Sequence, residues 1–245
     1  MAERQATEPF RFWTCVETRK PLGKRAHDVE ELLAMIEEVP ADCLAYHAQT
    51  CALRRPYADE EFANDFAAWV SREVQDPVLG NRLGHLDPFA YVDLDQLRIA
   101  ILSIMVDHLS ERSALRQRSC REPFEFFCSH LVEADLNLET WTLREFRDAV
   151  ACVHAGSVYL HISRSRLRNG ARGNDFAHWL NDEKGLGLPA LAVRVDKVGQ
   201  LGLSLEQKRK RILGLCDQAL ERPMEGAGTP HPGDRRQPGT QRPLA

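Results

Sequence analysis

The sequence predicts a mainly α fold, built as a tandem duplication of two similar helical halves. Each half opens with a short β-strand, and the two pack pseudo-symmetrically. Three pairs of words carry this expectation. "PFRFW" at Pro9 matches "PFEFF" at Pro123, "NDFAAW" at Asn64 matches "NDFAHW" at Asn174, and "LDQLR" at Leu94 matches "LEQKR" at Leu205. The matches keep their order and a nearly constant offset, which a duplication produces and convergence on one short motif does not.

The elements follow in chain order. Residues 1–8 read as a loose, disordered N-terminus. The first repeat is expected over 9–112 and the second over 123–221, joined by the charged connector 113–122. Phe10 and Phe12, like Phe124 and Phe126, alternate with period two and predict a short strand at the head of each half. Next, "HDVEELLAMIEEV" sets Val29, Leu32, Leu33, Ile36 and Val39 on one helical face, with Asp28 and Glu31 spaced as a capping box. Thr142 and Glu145 repeat that start before Phe146, Val150 and Val153. The segments "CLAYHAQTCAL" and "SVYLHISRS" are both assigned to helix. In the NDFxxW words, Asn or Asp caps a helix, while Phe66 and Trp69, and Phe176 and Trp179, lie three apart as core anchors. A last long helix is expected from "DLDQLRIAILSIMVDHL" and from "SLEQKRKRILGLCDQAL". Residues 222–245 hold five of the 13 Pro and four of the 15 Gly and read as a disordered tail.

Composition narrows the function classes. A net charge of −4 argues against a broad phosphate-binding face, so nucleic acid is not the expected partner. No apolar run is long enough to cross a membrane, and the N-terminus lacks the pattern of a secretory signal. Seven Cys without a C-x-x-C pair suggest reduced thiols and a cytoplasmic setting. P-loop, dinucleotide-binding and zinc-protease motifs are absent, and no cofactor or metal is expected. Cys128-x-His130 and Cys152-x-His154 have one-residue spacing, closer than zinc sites use, and read as structural thiols and surface imidazoles. The basic run Arg19, Lys20, Lys24 and Arg25 reads as a solvated loop before a helix. Arg164, Arg166, Arg168 and Arg172 form the densest cationic cluster.

The candidate site joins two sets of residues. His47 and Arg54 are seven apart, as are His161 and Arg168, so two helical turns place each pair on one face. With Asn64 and Asp65, and with Asn174 and Asp175, each set gathers an imidazole, a guanidinium and a carboxylate. Such a group can bind a small anion, poise the His for proton transfer, or act as a buried ion pair that fixes packing. The ordered pattern of His, Arg, N-D-F-A-x-W and L-[DE]-x-x-R resembles the prokaryotic domain of unknown function 5752 family over nearly the whole chain. That resemblance implies a cytoplasmic protein and faintly a carbohydrate-related context, but no activity or catalytic residue. The expected function is a non-catalytic binding or interaction module for a protein partner or a small anionic metabolite. The competing reading is an enzyme acting on a sugar or phosphoester, with His47 or His161 as acid–base and Arg54 or Arg168 on the anion.

Overall fold

The computed structural model describes residues 4–57, 62, 64–91, 93–111, 119–169 and 173–221. Strands β1 (Gln5–Ala26) and β2 (Phe124–Thr142) pair antiparallel as a two-stranded ribbon. Between them run α1 (Val29–Glu38), α2 (Ala41–Ala48), α3 (Cys51–Arg54), α4 (Asp65–Arg72), α5 (Pro77–Gly84) and α6 (Leu94–Glu111). After β2 come α7 (Leu143–Cys152), α8 (Ala155–Val158), a π-helical segment (Tyr159–Arg164), α9 (Ser165–Asn169), α10 (Asp175–Asn181), α11 (Pro189–Gln200) and α12 (Leu205–Glu221).

The helix starts follow from their capping chemistry. Asp28 Oδ1 accepts the Glu31 amide at 2.8 Å, and Glu31 Oε2 accepts the His27 amide at 2.8 Å, which closes the first turn of α1. Thr142 and Glu145 form the reciprocal capping box at α7. Asn64 and Asn174 cap α4 and α10 by accepting the amides of Ala67 and Ala177. Each cap is worth about 1 kcal/mol.

The ribbon positions everything else. Its register runs from Gln5 opposite Thr142 to Ala26 opposite Phe124, with irregularities between Gln5 and Phe10, between Phe12 and Trp13 and between Pro21 and Arg25. Asn137 (φ 52°) and Gly23 (φ 78°) take left-handed backbone at the last two of these places. Bulges of this kind bend a strand and sharpen its twist, so the two ends of the ribbon turn toward different helices. Phe10 and Phe12 are buried among Phe146, Phe176 and Trp179 of α7 and α10. Phe124 and Phe126 are buried among Leu32, Leu44, Phe66 and Trp69 of α1, α2 and α4. Each helical group therefore takes its aromatic pair from the strand that heads the other group. Glycine permits one close approach here: a Cβ on Gly156 would stand 2.3 Å from the Cys15 carbonyl, so α8 can lie against β1 only with Gly there.

These facts correct the expected fold class. The helical content holds, but the tandem duplication of two similar halves, each with its own short strand, does not. The strands are 22 and 19 residues long and pair with each other. Among the described residues six helices follow β1, whereas seven helical segments, one of them a π-helix, follow β2. Residues 9–112 and 123–221 do not form separate cores, because each range supplies Phe side chains to the other. The strand–helix order does not resolve into copies of one unit.

Two local expectations also change. The basic run from Arg19 to Arg25 lies in β1, where Lys24 meets Glu38 at 3.0 Å and Arg25 meets Glu125 at 2.7 Å. Within the expected loose segment 1–8, Gln5 begins β1, and the Thr7 and Glu8 amides donate to the Lys184 carbonyl at 2.7 and 2.9 Å. Residues 113–118 of the connector and the expected tail 222–245 lie outside the described residues. Among the described residues no helix is long and apolar enough to cross a membrane.

Candidate functional site

His47 closes the last turn of α2, Arg54 ends α3, and Asp65 opens α4 directly after its Asn64 cap. A carboxylate at the first helical position lies where the unpaired amides of the first turn make the potential positive. His47 Nδ1 donates to Asp65 Oδ2 at 2.9 Å. Arg54 Nη2 donates to the same oxygen, and Arg54 Nη1 donates to the Tyr46 carbonyl at 3.1 Å. The guanidinium also lies over the Tyr46 ring, 3.9 Å from its centre. On its far side Arg54 approaches Glu17 at 3.4 Å.

The other ring nitrogen of His47 decides what the imidazole can do. Nε2 lies 3.1 Å from the backbone nitrogen of Phe127 in β2. A peptide N–H can only donate, so Nε2 must hold a lone pair and the proton must be on Nδ1. The ring is thus neutral, with both nitrogens engaged. Burial pushes the His47 pKa down, and the nearby Asp65 carboxylate opposes that only in part.

His161, Arg168 and Asp175 meet in the second helical group. His161 Nδ1 donates to Asp175 Oδ2 at 2.8 Å, and His161 Nε2 accepts the Trp13 amide of β1 at 2.9 Å. Arg168 Nη2 donates to Asp175 Oδ2 at 3.0 Å, while Asn169 Nδ2 donates to Oδ1 at 2.8 Å. For Asp175 burial pushes the pKa up, but the hydrogen bonds from His161 and Asn169 and the charge of Arg168 outweigh it, leaving it lowered. The His161 ring stacks on Phe176 with centres 5.4 Å apart.

The two clusters differ in access. Both imidazoles are 4 % exposed, whereas the Arg168 side chain is 49 % exposed and that of Arg54 is 21 %. A cleft of about 490 Å³ opens beside the second cluster, lined in part by Arg11, Trp13, Glu133, His161, Arg168 and Asp175. Trp13 is half-exposed at its wall. Glu133 is 3.8 Å from Arg168 Nη1, too long for a hydrogen bond but within ion-pair reach, so the guanidinium lies between Asp175 and a more loosely held Glu133.

All eight sequence candidates fall into these clusters, but not as equals. The two Asn residues are buried behind them: Asn64 Nδ2 donates to the Leu83 carbonyl at 2.9 Å, and Asn174 Nδ2 to Asp196 Oδ1 at 3.2 Å. Their amides brace the fold and do not face the cleft. Sequence reasoning missed the strand amides of Phe127 and Trp13, although these residues end the words "PFEFF" and "PFRFW". It also passed over Asp76, whose Oδ2 pairs with the buried His108 Nε2 at 2.7 Å while Oδ1 caps α5. Among the described residues no group of three or more His, Cys, Asp or Glu is placed to hold a metal ion. His154 instead caps α8, accepting the Gly156 amide.

The sequence profile of a family of unknown function, DUF5752, matches residues 7–217. The chain belongs to that family. Both clusters, β2 and all of β1 but its first two residues lie within the matched residues, so the geometry above is a description of DUF5752 architecture in this chain. Among solved structures the chain is similar to OrfY from Thermoproteus tenax. The two are 23 % identical over 88 % of this chain and 97 % of that one, with a TM-score of 0.68, a likeness of fold. No curated protein matches the chain.

Proposed function

We propose that this protein is a non-catalytic binding module whose cleft beside Arg168 takes a small anionic metabolite, a phosphosugar being the class that fits best. One observation carries the non-catalytic reading. Each His holds both ring nitrogens in hydrogen bonds, one to a carboxylate and one from a strand amide. Neither has a nitrogen free to exchange a proton with a substrate, and freeing one requires pulling a strand away. The Arg168 cleft supplies what binding needs: a half-exposed guanidinium for the anion and the Trp13 ring as an apolar platform for the body of the ligand. The seven cysteines are all free thiols, which suits a reducing cytoplasm.

Thermal-shift measurements with phosphosugars, nucleotides and neutral sugars test the reading. Phosphosugars are expected to raise the Tm of the wild type, and Arg168→Ala is expected to abolish that rise while remaining folded. If no anion stabilises the protein, small-molecule binding falls and a protein partner takes its place. Turnover of a phosphoester that disappears in His161→Gln would favour the enzyme instead.

A further inference from the structure

The seam between the two helical groups contains a second cleft, of about 330 Å³, which shares no lining residue with the one beside Arg168. Its floor is Lys208. Along α12 the buried residues Leu205, Lys208, Ile212 and Cys216 follow one helical face, so the lysine occupies a position that the pattern gives to an apolar residue. The side chain is 8 % exposed. Its Nζ donates to the Gly199 carbonyl at 3.1 Å. Among the described residues no carboxylate pairs with it: Asp87, across the cleft, is held by Arg166 at 2.9 Å. An ammonium has three donors, and burying it without a counter-charge is costly.

Two further features of the cleft share the sign of that charge. Arg166 lines it beside Lys208. The 17-residue helix α12 begins at it through Ser204 and Leu205, and this end of a helix carries positive potential. The amides of Ser204, Glu206 and Gln207 donate to Gln207 Oε1, the Pro56 carbonyl and Ser204 Oγ. Burial first and then the charge of Arg166, with Asp87 opposing, bring the Lys208 pKa down to about 8, so the amine is still mainly protonated at neutral pH.

We infer that this seam cleft is an anion site in which Lys208 and Arg166 bind a compact oxyanion, the phosphate or carboxylate of a small metabolite. Both residues belong to the helical group after β2, and Asp87 of the first group already meets Arg166 across the cleft. The site goes beyond the proposed function and does not depend on it.

Titration calorimetry on the full chain at pH 7 and low ionic strength, with inorganic phosphate in one arm and succinate in the other, tests the inference. Binding is expected in at least one arm, and the responding arm identifies the oxyanion. Lys208→Met is expected to weaken it at least about tenfold, the loss of one charged hydrogen bond, whereas Arg168→Ala leaves it unchanged. Should Lys208→Met fold poorly, the wild type still decides. An anion seated on a half-protonated amine raises its proton affinity, so binding near pH 8 takes up protons, seen as a difference between buffers of unlike ionisation enthalpy. No heat in either arm, undiminished binding in Lys208→Met, or binding without proton uptake overturns the site. Loss of phosphosugar stabilisation in Arg168→Ala with phosphate binding retained separates the fate of this site from that of the Arg168 cleft.

Discussion

Replacing Lys208 by Met is expected to stabilise the ligand-free protein, the reverse of what removing a buried hydrogen-bonding group usually does. The amine falls from 10.5 to about 8 on folding. At about 1.36 kcal/mol per unit, holding it charged in the fold costs about 3 kcal/mol at neutral pH. Met fills a similar volume with no charge to desolvate, and its loss is the Gly199 carbonyl's partner, about 1 kcal/mol. The net gain is about 2 kcal/mol, which for a chain of this size raises Tm by roughly 4–8 °C. The sign of the pH dependence is fixed as well. Between pH 8 and 10.5 the unfolded amine binds a proton that the folded one has released, so wild-type stability rises through that window. The advantage of Met is therefore full below pH 8 and fades by pH 10.5. Calorimetric scans of both proteins from pH 6 to about 10.5 measure it. A lower Tm for Lys208→Met at pH 7, or a Tm difference that stays flat across the range, would refute this reasoning.

Other perturbations probe the clusters and the ribbon. Asp65→Ala leaves His47 and Arg54 facing an empty carboxylate site and is expected to cost about 3–5 kcal/mol in denaturant unfolding. Asp175→Ala should cost less, because water reaches the half-exposed Arg168; an equal or larger loss would contradict the assigned difference in access. Phe10→Ala and Phe124→Ala should each cost about 3–5 kcal/mol. By hydrogen exchange, Phe10→Ala should loosen α7 and α10, and Phe124→Ala should loosen α2 and α4. The opposite assignment would mean that each strand packs on its own helices. Trp69→Phe and Trp179→Phe each remove an indole N–H bond, to Glu122 and Glu8 respectively, and should each lower stability by about 1 kcal/mol.

Much of the site was legible before any coordinates. The Asn-Asp words placed a capped helix with its carboxylate at the start, because that relation is local. The seven-residue spacing did not act as two continuous α-helical turns, since α2 ends at Ala48 before α3 begins at Cys51 and His161 lies in a π-helical segment. Each His meets its Arg at a shared Asp oxygen. The second partner of each imidazole was not legible. It is a strand amide, and every non-proline residue carries one, so no side-chain letter marks it. The ribbon was underestimated for a related reason. Its middle is solvated, with Val16 and Val132 exposed opposite each other and charged residues on both strands, so it lacks the apolar alternation that reveals a half-buried strand. Pro21 and Gly23 then read as loop letters, although they sit at a register shift inside β1. Period-two phenylalanines reported a buried strand face correctly but could not say which helices bury it. That gap let matching words suggest two self-contained halves where the chain exchanges strands. Helices α5 and α11 each open on a proline at the first turn, a start signal available in the sequence and not used. In the sequence Lys208 is only the lysine that "LEQKR" carries where "LDQLR" has Leu97. Its burial depends on the seam between helical groups, which no single helix displays.

The account stands or falls with the state of the two imidazoles. Nitrogen-15 NMR of the histidine rings at pH 7 reads it directly. The prediction is that His47 and His161 both appear as neutral rings protonated at Nδ1, with Nε2 shifted as a hydrogen-bond acceptor, and that neither changes when a ligand enters the Arg168 cleft. A ring that carries its proton on Nε2, or that changes protonation on ligand binding, would show an imidazole free to do chemistry and would contradict the binding-module reading.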